Sequence, residues 1–251
     1  MTIRQSRIYI TVVITTMFNE ITVGNRQVLD VVMDMDFQEK RTQIIADYSE
    51  EQLFPITGFY DVFDGGLGYY LKIRQVLFAG LSDRPEIRFQ AIPSFSPEHV
   101  LNIEFDRNSN KYYMNYHICE PMLWRNLENP EKVKVNKFRT EIDKASVALV
   151  KSLFDEAIIQ ARYPEIYKKD DCEFVVMADG TRYLFTLGWP GYPLRSGYTR
   201  SPSEGTKMKK LVDIGYELIE LAVSNKETVT IDDKLQMKIE KLIEEIKTSG
   251  E

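Results

Sequence analysis

The hairpin at residues 99–118 constrains the fold more than any other part of the chain. Two strand-like runs, His99–Phe105 and Lys111–Ile118, flank Arg107-Asn-Ser-Asn110. Side chains alternate between faces along a strand, so a slip of one residue exchanges the faces of the whole set. A five-residue loop, Asp106–Asn110, pairs positions whose numbers add to 216 and sets His99 directly opposite His117. That register mixes apolar and polar side chains on each face. A four-residue loop, Arg107–Asn110, pairs positions adding to 217. It gathers His99, Leu101, Ile103 and Phe105 with Tyr112, Met114, Tyr116 and Ile118. The other face then carries Val100, Asn102, Glu104, Asp106, Lys111, Tyr113, Asn115 and His117. Antiparallel sheets commonly bury one face, so the four-residue loop is expected. The two histidines then face apart, so no shared metal is expected, and His117 is placed at a surface or cleft near Glu104 and Glu120.

Other elements follow from local pattern. Ile87, Phe89 and Ala91 alternate with Arg88 and Gln90, and Pro93-Ser-Phe-Ser-Pro97 turns the chain toward His99. Tyr70, Ile73 and Leu77 recur at helical spacing over Leu67–Ala79, with Gly80 at the left-handed position after the last turn. Residues 126–139, with alternating charge and Pro130, read as a linker. Thr140 is expected to cap a helix over 141–162, whose apolar face includes Val147, Val150, Phe154 and Ile158. Asp179-Gly180 between Phe174–Ala178 and Thr181–Thr186 signals a second hairpin. Two helices close the chain. The first spans about 206–224; the second, after Thr230, carries a narrow stripe of Leu235, Ile239, Leu242 and Ile246 that would dock on the body or on a partner. The expected class is α+β, with an antiparallel sheet built from local hairpins and covered by helices on one face. One domain, 25–251, includes the C-terminal helical pair 206–247.

Residues 1–24 carry Arg4 and Arg7, then an uncharged run, Ile8–Phe18. The run is too short to span a bilayer. Basic-then-apolar order is that of a secretory signal, while the β-branched content equally suits a first strand. An exported protein of a bacterium-like cell, periplasmic or extracellular, is expected, with a cytoplasmic one as the alternative. Export would favour a Cys119–Cys172 disulfide; a cytosolic setting would leave two buried thiols. No transmembrane segment is expected.

The net charge of −6, from 32 basic and 38 acidic residues, argues against a nucleic-acid partner. No phosphate loop, HExxH, GxSxG or CxxC is present, so no cofactor is expected. Carboxylates remain. Asp34-Met-Asp36, after the apolar Val28–Met33, resembles the first motif of the haloacid-dehalogenase phosphatases. That resemblance implies one Asp as nucleophile and one as acid/base. It covers about nine residues. Phe37 stands where that family has Gly or Val, no partner motifs follow, and the βαβ rhythm is missing. Glu98, Glu104 and Glu120 form a second acidic group suited to general acid/base work. A hydrolase using Asp34/Asp36 or Glu104/Glu120 is therefore the alternative function.

The most unusual stretch is Gly188–Pro202, read as a loop of fifteen residues. Long loops in compact domains often carry function. This one holds Trp189, Tyr192, Arg195, Tyr198 and Arg200, with Arg182 close by in sequence. Trp, Tyr and Arg dominate binding hot spots. The leading expectation is a non-catalytic binding protein, like an inhibitor or immunity protein, that engages a protein or ligand partner through these residues. Burial of Trp189 and Tyr192 as a lid on the core would remove its main support.

Overall fold

A computed structural model describes residues 50–56, 67–163 and 180–248. All of them belong to the compact unit Asp36–Glu251. Residues 1–49, with the signal or first-strand segment and Asp34/Asp36, lie outside the described residues, as do 164–179, with Cys172 and the run 174–179.

The strands are β1 (Phe54–Pro55), β2 (Ile87–Pro93), β3 (His99–Asp106), β4 (Lys111–Glu120), β5 (Lys134–Ile142), β6 (Thr181–Leu187), β7 (Arg195–Arg200) and β8 (Thr228–Val229). The helices are α1 (Leu67–Val76), α2 (Lys144–Ile159), α3 (Lys207–Ala222) and α4 (Asp233–Lys247). One eight-stranded sheet has the order β1-β7-β6-β2-β3-β4-β5-β8. Every pairing is antiparallel except β5 with β8. The fold is α+β.

The β3–β4 hairpin has the four-residue register, running from His99 opposite Ile118 to Asp106 opposite Lys111. One face carries Ile87, Phe89, Leu101, Ile103, Met114 and Phe185 into a core shared with α2, α3 and α4. Each of these helices starts at a side-chain cap: Asp143, Thr206 and Asp232 accept backbone N–H groups of the first turn. The stripe of α4 is buried on this body, with Ile239 and Leu242 at 0% and 1% exposure, which removes it as a docking face.

Five expectations need correction. Helices do not cover one face only. Helix α1 packs Tyr69, Tyr70, Ile73 and Leu77 against Ile92, Val100 and Cys119 on the opposite face. His117 is therefore buried, its Nδ1 donating to the Leu77 carbonyl at 2.8 Å. Residues 134–142 are a strand; the charged side chains that suggested a linker belong to β5, which borders the short β8. Thr140 is not a cap, because it sits in β5 with its hydroxyl donating to the Ala222 carbonyl; Asp143 caps α2 instead. Finally, β6 is flanked by β2 and β7, and Arg195–Arg200, expected in a loop, forms β7. Its Gly and aromatic content hid a strand in which Gly197 lets Leu53 approach within 2.9 Å of where a Cβ would stand.

Candidate binding surface on the β6–β7 turn

The segment joining β6 to β7 is built from its backbone outward. Gly188 follows β6, its N–H bonded to the Glu86 carbonyl at 3.0 Å. A Cβ there would stand 2.2 Å from the Pro85 carbonyl oxygen, so only glycine lets the chain leave the sheet at this point. Trp189-Pro190-Gly191-Tyr192 then closes a β-turn, with the Tyr192 N–H donating to the Trp189 carbonyl at 3.1 Å. Pro at the second place and Gly191 at φ +80° in the third match a type II turn. Pro190 restricts the unbound turn and Gly191 admits the positive φ that it needs, so a partner would have less backbone to order on contact.

All of Trp189–Leu194 is exposed. Trp189 is 41% exposed, Tyr192 71% and Leu194 37%. The turn is tied to α2. The Lys151 ammonium lies 4.2 Å from the centre of the Trp189 ring and also pairs with Glu86. Arg195 pairs with Asp155, one helical turn further along α2. The charges beneath the turn are thus matched, and its outer surface is apolar and aromatic.

The six residues singled out from sequence do not form one patch. Trp189, Tyr192 and Arg195 share the turn and the α2 side. Arg182, Tyr198 and Arg200 lie on the opposite face of the sheet, since Arg182 pairs with Arg200 and Leu184 with Tyr198. There Arg182 donates to the Tyr70 hydroxyl at 2.8 Å and lies 5.3 Å from the Tyr198 ring centre, while Tyr198 packs on Phe54.

The sequence pattern missed Lys151, Glu86, Leu194 and a neighbouring aromatic pair. The register Leu187–Ile87–Ile103–Met114 sets the turn at the same end of the sheet as Phe105 and Tyr112. These two rings lie 5.0 Å apart, beside a recess of about 300 Å³ also lined by Lys111, Asp143 and Lys144. No local signal could have joined these residues, which come from five separate segments of the chain.

The acidic candidates do not meet. Glu104 lies level with Tyr113 on β4, seven residues from Glu120, or about 23 Å along a strand. Glu104 accepts from Asn102 (2.7 Å), from the Ser82 N–H (2.8 Å) and from Asn115 (3.1 Å). Glu120 instead accepts from Asn136. Glu98, the third member of that acidic group, is fully buried. It accepts from the Tyr69 hydroxyl at 2.7 Å and from the N–H groups of Leu123 and Trp124 at 2.7 and 2.8 Å. Burial, with Glu98 adding to it, pushes the Tyr69 hydroxyl far above its ordinary range, and burial raises the free Cys119 thiol to about 12. His99, buried between Tyr116 and Tyr216, donates through Nδ1 to the Pro97 carbonyl, and its Nε2 has no partner among the described residues. Among the described residues no group of His, Cys, Asp and Glu is arranged to hold a metal ion, and no helix is long and apolar enough to cross a membrane.

Comparison with protein-family models, with curated proteins and with solved structures returned no match.

Proposed function

We propose that this protein is a non-catalytic binding protein whose contact surface is centred on the Trp189–Leu194 turn. One observation carries the reading: an unbroken run of exposed residues, Trp-Pro-Gly-Tyr-Pro-Leu, on a turn restricted by two prolines and anchored to α2. Isolated exposed apolar residues are ordinary, whereas a contiguous apolar surface marks interaction sites. Rigid aromatic side chains supply contact area at low entropic cost. Trp189 and Tyr192 are the anchors of this reading, Leu194 adds exposed apolar area, and Lys151–Glu86 and Arg195–Asp155 form a polar rim. A protein partner fits best, because the whole run is exposed and its side chains are apolar or aromatic. An inhibitor or immunity protein that inserts such a turn into a partner's cleft is the concrete form.

The test is site-specific photo-crosslinking in the source cells. A benzoyl-phenylalanine at position 192 is expected to give one dominant protein adduct, and the same group at the exposed Met237 on α4 is not. Adding Trp189→Ala should strip the adduct from position 192. Equal labelling from both positions, or none from position 192, would overturn the proposal.

A further inference from the structure

Strand β5 presents a backbone edge that no described residue covers along most of its length. Its register with β4 is unbroken from Lys134 opposite Glu120 to Ile142 opposite Tyr112. On its outer side β8 pairs only with Glu141 and Ile142. The Glu141 N–H donates to Glu227 and the Asp143 N–H to Val229, which sets the phase of the strand. Odd-numbered residues point their backbone groups outward, even-numbered residues point theirs to β4. Val135, Lys137 and Arg139 therefore aim their N–H and C=O groups at the open side. Each residue offers one donor and one acceptor, the template that an added strand uses.

The side chains beside this edge have a defined character. Residues 132–140 contain Lys132, Lys134, Lys137 and Arg139 and no acid, in a chain whose net charge is −6. Lys137 and Arg139 share the α1 face of the sheet, level with His117 and Asn115. Among the described residues the Lys137 ammonium donates only to the Ala79 carbonyl, at 2.7 Å, and meets no carboxylate. Arg139 stacks on Tyr113 and meets Asp106 at 3.3 Å, with half of its side chain exposed. Phe138 lies on the opposite face, level with Tyr116, and is partly exposed.

We infer that the open edge of β5 accepts an extended acidic peptide segment as an added strand, with acidic side chains over Lys137 and Arg139 and apolar ones over Phe138. A second copy of this chain is a poor occupant, because fully overlapped antiparallel self-pairing of β5 would oppose Lys137 to Arg139 twice. Lysine on an edge is a known guard against such pairing, and the same charges select for carboxylates. This site is independent of the β6–β7 turn and stands or falls separately.

The probe is a capped, fluorescein-labelled nonapeptide alternating Glu and Val, with the Lys-for-Glu peptide as control. Anisotropy should show saturable binding of the acidic peptide alone. Amide exchange followed by NMR should slow at Val135, Lys137 and Arg139, and stay unchanged at Asn136 and Phe138, which bond to β4. K137E/R139E should weaken binding by about tenfold or more, and the milder K137Q/R139Q should weaken it less while keeping the fold. Slow exchange at the three amides in the free protein would overturn the inference: independent of concentration, it would mean the chain itself fills the edge; rising with concentration, a second copy. Binding that leaves the three amides unchanged, or equal binding of an RNA oligonucleotide, would reduce the edge to a patch of charge and also overturn it.

Discussion

The Lys151 ammonium faces the Trp189 ring at 4.2 Å while pairing with Glu86. One cation thus joins α2, the start of β2 and the exposed turn. Replacing Lys151 by Met keeps the stem and removes both contacts. We expect a loss of about 1 kcal/mol in stability. In a Trp124→Phe background, acrylamide should quench Trp189 more readily in the variant. Unchanged quenching would mean that Lys151 does not hold the ring.

The two glycines of the turn should respond differently. Gly191 has φ +80° and open space around it, so Gly191→Ala adds only backbone strain, about 1 kcal/mol. Gly188→Ala would place a methyl group 2.2 Å from the Pro85 oxygen. Backbone must move there, and a loss of roughly 2–3 kcal/mol is expected. Urea midpoints of the two variants decide this, and a smaller effect at Gly188 would contradict the close approach.

Glu98 receives three hydrogen bonds in a fully buried setting. Glu98→Gln turns one acceptor into a donor facing other donors. A destabilisation of about 2–4 kcal/mol follows from the unmatched group and the lost charge-assisted bonds. Tyr69→Phe removes one donor only and should cost about 1–2 kcal/mol. Calorimetric melting of both proteins tests the order, and an equal or larger effect for Tyr69→Phe would rule out the bonds from Leu123 and Trp124 to Glu98 as the larger contribution.

Both histidines have their pKa lowered from the ordinary 6.5, chiefly by burial. The unfolded chain therefore holds protons that the folded chain does not. Stability from the neutral histidines is fully present above about pH 6.5 and falls as pH drops below it toward the folded-state values. Melting temperature should decline between about pH 6.5 and pH 5, where carboxylates contribute little. The decline should shrink in His99→Gln and in His117→Gln. An unchanged slope in the double variant would show that these histidines are not the source.

Much of the fold was legible in local pattern. The β3–β4 register followed from alternation and loop length, because a one-residue slip would have mixed Leu101 and Ile103 with the polar side chains of β4 on one face. The helices α1, α3 and α4 followed from their apolar spacing. Strand β5 was not legible, since its side chains are mostly solvated and hydrogen bonds to β4, invisible in composition, make it a strand. Strand β7 was hidden in the same way by Gly197 and its aromatic neighbours.

The candidate site divides along the same line. Trp189, Tyr192 and the glycine-proline turn that exposes them were written in consecutive residues, because turn geometry depends on backbone preferences alone. Which side each neighbour takes was decided only by the tertiary structure. Pairing in β7 sends Arg182, Tyr198 and Arg200 to one face and leaves Arg195 with Asp155 on the other. Packing of α1 buries His117, which looks solvent-facing by alternation, and Glu98 is buried where it accepts from the Tyr69 hydroxyl and the N–H groups of Leu123 and Trp124. Alternation tells which residues share a face, and only the packing of distant elements tells which face water reaches.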